Sequence, residues 1–164
     1  MSVEILTIDV PGIPQTKGSA RGFGFIRKTG PRAGKIGVAI TNDNPSAKEW
    51  QARIAYFARQ SMVGGTTAQG VTVDVTFKFT RPKSHLHTGK RAGEVKATAP
   101  ERHRQKPDID KLLRVVLDAL TGVVWDDDAQ VFHVDMFKGW ADPGKGAGAT
   151  VVVRCGYGDF PVPR

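Results

Sequence analysis

The sequence predicts an α/β protein of the α+β type, a single domain in which two main helices pack on one mixed β-sheet. Its 164 residues match the size of one ordinary domain, and 40% of them are hydrophobic, which is enough for one core. No internal repeat or linker divides the chain. Strand and helix patterns follow one another in the order βββαβαββ, which favours helices packed against a sheet. We therefore treat residues 1–164 as one domain.

Six segments have the alternating, β-branched pattern of strands. The clearest is the fourth, in which valine or phenylalanine occupies every second position from Val71 to Phe79. The second and third flank a turn that contains glycine and proline, and they are predicted to form a hairpin. The predicted strands lie at residues 3–10, 23–27, 35–41, 71–80, 130–140 and 150–155, with a long basic loop at 81–106 and a tail at 156–164.

Two helices are predicted from apolar residues at intervals of three and four. The first follows a capping box, in which Ser46 and Glu49 would each bond a free backbone N–H at the helix start, and it ends near Gly64. The second covers residues 108–120. Its buried face is predicted to consist of Ile109, Leu112, Leu113, Val116, Leu117 and Leu120.

Charge is unevenly distributed along the chain. Lysine and arginine outnumber acidic residues by 24 to 16, and the net charge of +8 favours a polyanionic partner, nucleic acid above all. The bases concentrate in residues 10–42 and 81–106, whereas six acids lie within residues 108–128. A nuclease needs this combination, because cations hold phosphates and carboxylates hold a metal ion. The alternative is that these loops are simply solvated.

Several classes of protein are excluded by composition. No run of about 18 apolar residues is present, so a transmembrane helix is excluded, and the first residues do not have the pattern of a secretory signal. The single Cys155 leaves neither an intramolecular disulfide nor a cysteine zinc cluster. We expect a cytoplasmic protein that makes no membrane contact.

The acidic segment around the second helix predicts a metal site. Pro107 precedes Asp108, so Asp108 stands at or before the first helical turn and its carboxylate can swing toward Asp110. A third carboxylate can come from residues 126–128. Mg²⁺ prefers oxygen ligands and keeps several waters, so three converging carboxylates suffice. The alternative is that Asp108 caps the helix and residues 126–128 form a solvated turn.

Arg114 lies four residues from both Asp110 and Asp118 along one edge of this helix. It could form an ion pair with either carboxylate, or it could stand beside a metal ion and stabilise the charge that develops on a phosphate. Asp118 could orient Arg114 or take part in a surface ion pair.

Five aromatic side chains have two possible roles each, and we favour the simpler one. His85, His87 and His103 are expected to face phosphate from the basic loop rather than to bind zinc. Phe23 and Phe25 are expected to belong to the core of the hairpin, with stacking on unpaired bases as the alternative.

The stretch from Asp108 to Val131 resembles the RusA family of Holliday-junction resolvases, especially its phage and prophage members. The likeness rests on Asp-x-Asp at the helix start, on Leu-Asp-Ala-Leu-Thr-Gly-Val-Val-Trp within and after the helix, and on Asp-Asp-x-Gln-Val at residues 127–131. It extends over about residues 81–140. The resemblance implies a RusA-like fold and a homodimeric endonuclease of the bacterial cytoplasm that cuts four-way DNA junctions by paired nicks. It also implies Mg²⁺ as cofactor, with Mn²⁺ as a substitute.

The resemblance further implies that Asp108, Asp110 and Asp128 are the catalytic metal ligands, and that Arg114 stands where the family has its catalytic lysine. Arginine keeps the charge but does not readily give up a proton, so we expect electrostatic stabilisation rather than acid catalysis. Asp118 and Asp127 are expected to orient the site without binding the metal.

Recognition of a junction by its shape is expected to use mostly phosphate contacts. Two other functions remain open at this point, a non-catalytic basic DNA-binding module and a metal-dependent flap or single-strand nuclease. The candidate DNA-binding residues are Lys17, Arg21, Arg27, Lys28, Lys83, Lys90, Arg91, Arg102, Arg104 and Lys106.

Overall fold

The computed structural model describes residues 4–18, 20–42, 44–62 and 64–156, so all but the first residue of the predicted tail lies outside the described residues. The predicted order of elements and the fold class are confirmed. The strands are β1 (Glu4–Pro11), β2 (Ala20–Ile26), β3 (Ile36–Asn42), β4 (Val71–Phe79), β5 (Val131–Trp140) and β6 (Gly148–Cys155), and the helices are α1 (Ser46–Ser61) and α2 (Ile109–Leu120). None of the described helices has the length and apolarity needed to span a bilayer.

Four of the strands form a mixed sheet with the order β1-β6-β4-β5. β6 runs antiparallel to both of its neighbours, whereas β4 and β5 are parallel. A parallel pair needs a long crossover, and residues 80–130 provide it, with α2 inside. Because of this crossover, α2 and the loops at its two ends lie beside the same sheet.

The core lies between this sheet and the two helices. The valines and phenylalanines that alternate along β4 are buried, as predicted. α2 buries Leu112 and Val116 as predicted, whereas Leu113 is half-buried and Val115 takes a buried position instead. The buried face of α2 is therefore close to the predicted one, but it is rotated about the helix axis toward Val115. Trp125, just beyond α2, is fully buried.

The start of α1 differs from the prediction. The predicted capping box of Ser46 and Glu49 is wrong. The N-cap residue is Pro45 instead of Ser46, and it forms no side-chain capping bond. The side chain of Asn44 accepts the N–H of Ser46 instead, at 3.2 Å, and donates to the carbonyl of Thr16 at 2.9 Å. The N–H of Ser46 is thus satisfied by a side chain two residues upstream, and the same side chain is hydrogen-bonded to the preceding loop.

β2 and β3 form a two-stranded sheet of their own rather than joining the main sheet. We call residues 20–42 the hairpin. Phe23 and Phe25 are 54% and 44% exposed, so the expectation that they form its core is wrong. The physical reason is that every residue from 22 to 36 is exposed, so no second layer covers this part of the hairpin.

The basic loop at 81–106 has a hydrogen-bonded structure of its own, which includes short 3-10 helices at Lys83–His85 and Gly89–Arg91. The ring of His103 packs between Phe79 and Trp140, at centroid distances of 4.6 and 4.4 Å. The expectation that His103 faces phosphate is wrong, because its side chain is buried and anchors the loop on the sheet.

Candidate active site and DNA-binding surface

The candidate carboxylates lie at opposite ends of α2. Asp108 is the N-cap residue of the helix and Asp110 is in its first turn. Asp128 lies at the other end, because its carboxylate accepts a hydrogen bond from the hydroxyl of Thr121, the C-cap residue. At 1.5 Å per residue, the twelve residues of α2 span about 18 Å between the two ends.

Asp108 is exposed and pairs with Lys111, whose Nζ lies 2.9 Å from its Oδ2. The hydrogen bond from Lys111 lowers the pKa of Asp108 most, followed by the charges of Lys111, Lys106 and Lys138. Its side chain makes no capping bond, so the capping alternative is not found. The carboxylate therefore stays ionised at neutral pH and is held at the helix start by a neighbouring cation.

The backbone that leads into α2 is fixed by Lys138 on β5. Its ammonium donates to the carbonyls of Gln105, at 2.8 Å, and Pro107, at 2.6 Å. Asp108 follows directly, with an extended backbone, at the helix start where it was predicted. A cation on the sheet thus sets the position of the Asp-x-Asp segment.

Asp128 is oriented by two donors on the same oxygen. Its Oδ1 accepts from the Thr121 hydroxyl and from the indole Nε1 of Trp125, the latter at 3.0 Å. Because Trp125 is buried in the core, its hydrogen bond fixes the orientation of an exposed carboxylate. This contact was not predicted from the sequence. The sequence feature that could have indicated the contact is the spacing, because Trp125 lies three residues before Asp128.

Asp127 has a different role. Its side chain accepts the N–H of Ala129 at 2.7 Å, and the side chain of Gln130 accepts the N–H of Asp127 at 2.9 Å, so the two form a capping box on a 3-10 turn at Asp128–Gln130. Asp126 accepts from Thr66 at 2.5 Å. Asp128 lines a cleft.

That cleft, of about 800 Å³, lies between α1 and the C-terminal half of α2. Lys17 reaches across it and pairs with Asp118 at 2.7 Å. Of the two alternatives for Asp118, the structure has the surface ion pair, because its carboxylate is turned toward Lys17 rather than toward Arg114. The residues that line the cleft are Lys17, Asn44, Pro45, Ala47, Lys48, Gln51, Val115, Asp118, Thr121 and Asp128.

The expectation that Asp108, Asp110 and Asp128 converge on one ion is not met within a single copy of the chain. Across the described ranges, no three His, Cys, Asp or Glu side chains are grouped so that they could hold a metal ion. The length of α2 is the reason, since an ion bonded at about 2.1 Å cannot reach both of its ends. The residues of one copy therefore do not fit a three-carboxylate magnesium site.

Arg114 is exposed on α2, between the two acidic ends. In the part of the chain that the structure describes, its guanidinium forms no ion pair with Asp110 or Asp118, so that alternative is not found. It is available for an external anion.

Comparison with known protein families assigns the chain. The family model described as endodeoxyribonuclease RusA matches residues 26–153, which is most of the sequence. The chain belongs to the RusA family. A search of curated proteins finds no match. The matched range contains α2 and all of the candidate carboxylates, but it begins at Ile26, after Phe23 and Phe25.

The basic residues of this RusA-family chain occupy two regions. Arg27 and Lys28 follow β2 in the hairpin, where Arg21 also lies, although its side chain is outside the described part of the structure. Lys17 lines the cleft. The others are exposed on the basic loop, where Arg91 also pairs with Glu94 at 2.7 Å; they are Lys83, Lys90, Arg91, Arg102, Arg104 and Lys106. Cations therefore lie around both ends of α2.

Proposed function

We propose that this chain is a structure-selective endodeoxyribonuclease that resolves four-way DNA junctions as a homodimer, with Mg²⁺ as its cofactor and Mn²⁺ as a substitute. The observation that carries the proposal is the placement of exposed carboxylates at both ends of one helix, each among cations. Membership of an endodeoxyribonuclease family supports the same chemistry. Carboxylate oxygens are the ligands that Mg²⁺ prefers.

The separation of the carboxylates favours a site built from two copies. A twofold axis across the middle of α2 would run two such helices antiparallel, so the Asp108–Asp110 end of one copy would lie beside the Asp128 end of the other. The side of α2 that carries Asp110, Lys111 and Arg114 is exposed and can face a partner. Such a dimer has two equivalent sites, as paired nicks on two strands require.

The residues of this chain have separate tasks in that proposal. Asp128 is held by Thr121 and Trp125, so that its other carboxylate oxygen can point outward. Arg114 stabilises negative charge on the phosphate that is attacked. The basic residues bind phosphates on the arms of the junction, and their contribution falls as salt screens it.

The strongest competing function is a non-catalytic DNA-binding module. One observation favours it, namely that a single copy brings no three carboxylates together in the residues described. Asp110→Asn separates the two functions. A nuclease should lose Mg²⁺-dependent cleavage and bind the junction as well or better, because a charge that repels phosphate is removed. A binding module has no cleavage to lose.

Selectivity for junctions is tested with matched DNA substrates of the same sequences. A mobile four-way junction, a linear duplex, a flap and a single strand are incubated with the protein in Mg²⁺ and in EDTA. We expect paired nicks in the junction alone, and only with Mg²⁺. Equal cutting of all four substrates would contradict the resolvase proposal and favour a flap or single-strand nuclease.

A further inference from the structure

The hairpin carries two chemically different faces. In an antiparallel pair, residues directly opposite one another project to the same side. On one face Phe23 is opposite Ala39, and Phe25 is opposite Gly37. The other face carries Ile26, Ile36 and Val38, which are all exposed and aliphatic. Only the first face, which we call the aromatic face, combines rings with cations.

Gly37 determines how the ring of Phe25 lies. A Cβ atom at Gly37 would be 2.7 Å from Cζ of Phe25, so the ring rests on the bare backbone of β3. The ring nevertheless stays 44% exposed, with its other side toward solvent. Phe23 lies two residues earlier on the same strand and is 54% exposed. The hairpin thus presents two flat apolar surfaces in series.

Cationic side chains lie next to these rings. The guanidinium of Arg27 lies 5.7 Å from the centroid of the Phe25 ring, within cation–π range. The carbonyl of Lys35, opposite Arg27, accepts the Arg27 N–H at 3.1 Å. Lys28 and Arg32 are exposed on the turn that joins the strands. No acidic residue occurs from Val10 to Asn42, so the whole hairpin is electropositive.

We infer that the aromatic face binds unpaired nucleobases, with Phe23 and Phe25 stacking on them while Arg27 and the basic turn hold the adjoining phosphates. Aromatic rings beside cations are the combination that binds single-stranded DNA regardless of its sequence. In the proposed function, on which this inference rests, these bases are those at the branch point of a junction. The hairpin would then recognise the open centre, while the basic loop binds the arms.

The test uses a four-way junction with 2-aminopurine, a fluorescent adenine analogue that is quenched when it stacks on neighbouring bases, at the branch point. We expect the wild-type protein, in EDTA, to raise its fluorescence by removing the base from the stack. The double variant Phe23→Leu and Phe25→Leu keeps apolar volume but not a flat ring. It should lose the rise and bind the junction about tenfold more weakly. The matched control, Ile36→Thr with Val38→Thr on the opposite face, should keep the rise.

An unchanged rise in the phenylalanine variant, or its loss in the control variant alone, would overturn the inference. A wild-type protein that binds and cuts the junction without any rise would overturn the inference and leave the proposed function standing. A rise on single-stranded DNA without junction cleavage would support the aromatic face and contradict the resolvase function. If neither DNA gives a rise or a cut, both fail.

Discussion

The indole Nε1 of Trp125 donates a 3.0 Å hydrogen bond to Oδ1 of Asp128. Trp125 is fully buried, whereas Asp128 is exposed at the rim of the cleft. The carboxylate is therefore held by the core of the protein rather than by a flexible loop. In the proposed function, this contact sets where one metal-binding oxygen can point.

Replacing Trp125 with Phe should impair cleavage more than it impairs folding. The change keeps an aromatic ring in the core but removes the donor to Asp128. We expect cleavage of the junction to fall at least tenfold, and the free energy of unfolding to fall by about 1–3 kcal/mol, from a lost bond to a charged acceptor and a smaller ring. Single-turnover cleavage and urea unfolding measure the two effects.

Trp50→Phe is the matched control for that variant. Trp50 is also buried, but its Nε1 has no hydrogen-bond partner among the described residues. Its replacement should leave cleavage unchanged. An equal loss of cleavage in both variants would show that the effect comes from core packing and not from the contact with Asp128.

Asp127 and Asp128 should respond differently to the same substitution. Asparagine caps helices about as well as aspartate, so Asp127→Asn should retain the 3-10 turn and most of the cleavage. Asp128→Asn removes the charge of a proposed ligand and should lower cleavage by a hundredfold or more. Cleavage rates of the two variants at saturating DNA check this, and a larger loss at Asp127 would contradict the assignment.

His103 should make the stability of the protein depend on pH. Burial lowers its pKa, and the nearby charge of Lys138 lowers it further. As pH falls through 6.5, the unfolded chain gains a proton on this imidazole while the folded chain does not. Stability is therefore lost below pH 6.5 and stops falling once the pKa of the folded state is passed.

The variant His103→Phe should remove this component of the pH dependence, because phenylalanine can pack between Phe79 and Trp140 without titrating. Urea midpoints at pH 7.5 and 5.5 measure it. His87→Gln changes a half-buried histidine of the same loop and should retain the full dependence. A wild-type protein that is as stable at pH 5.5 as at pH 7.5 would argue against the effect.

Patterns within one element were predictable from the sequence, and contacts between elements were not. The strand at 71–80 and the face of α2 follow from periodicity, because alternating or helical spacing directly encodes burial. The cap from Asn44 and the exposure of Phe25 depend on whether another layer covers the segment, which spacing does not record. The alternating sequence pattern of β2 and β3 is the same for a hairpin that joins the main sheet and for one that stands apart from it.

The candidate site shows the same limit. Asp108 and Asp110 were placed correctly at the start of α2, because Pro107 and the helical pattern fix that boundary. A third carboxylate from residues 126–128 was expected from the residue types, and Asp128 in particular from the family resemblance. Asp108 and Asp110 lie at the start of a twelve-residue helix and Asp128 lies beyond its end, and the length of this helix could have been weighed from the sequence.

A site shared between two copies gives a clear result when two inactive variants are mixed. Asp110→Asn damages one end of α2 and Asp128→Asn the other. In a mixed dimer of these two variants, one site collects both changes and the other site has neither. Asp110→Asn mixed with Asp108→Asn is the matched control, since both changes lie at the same end and each site of that mixed dimer carries one.

The most direct measurement is therefore junction nicking by mixed dimers, co-expressed with two different affinity tags and purified through both. We predict that each variant alone is inactive and that the Asp110→Asn and Asp128→Asn mixed dimer nicks one strand of the junction in Mg²⁺. The Asp108→Asn and Asp110→Asn mixed dimer should stay inactive. If the first mixed dimer is as inactive as its parents, the shared site, and with it this account of how the chain cuts DNA, is contradicted.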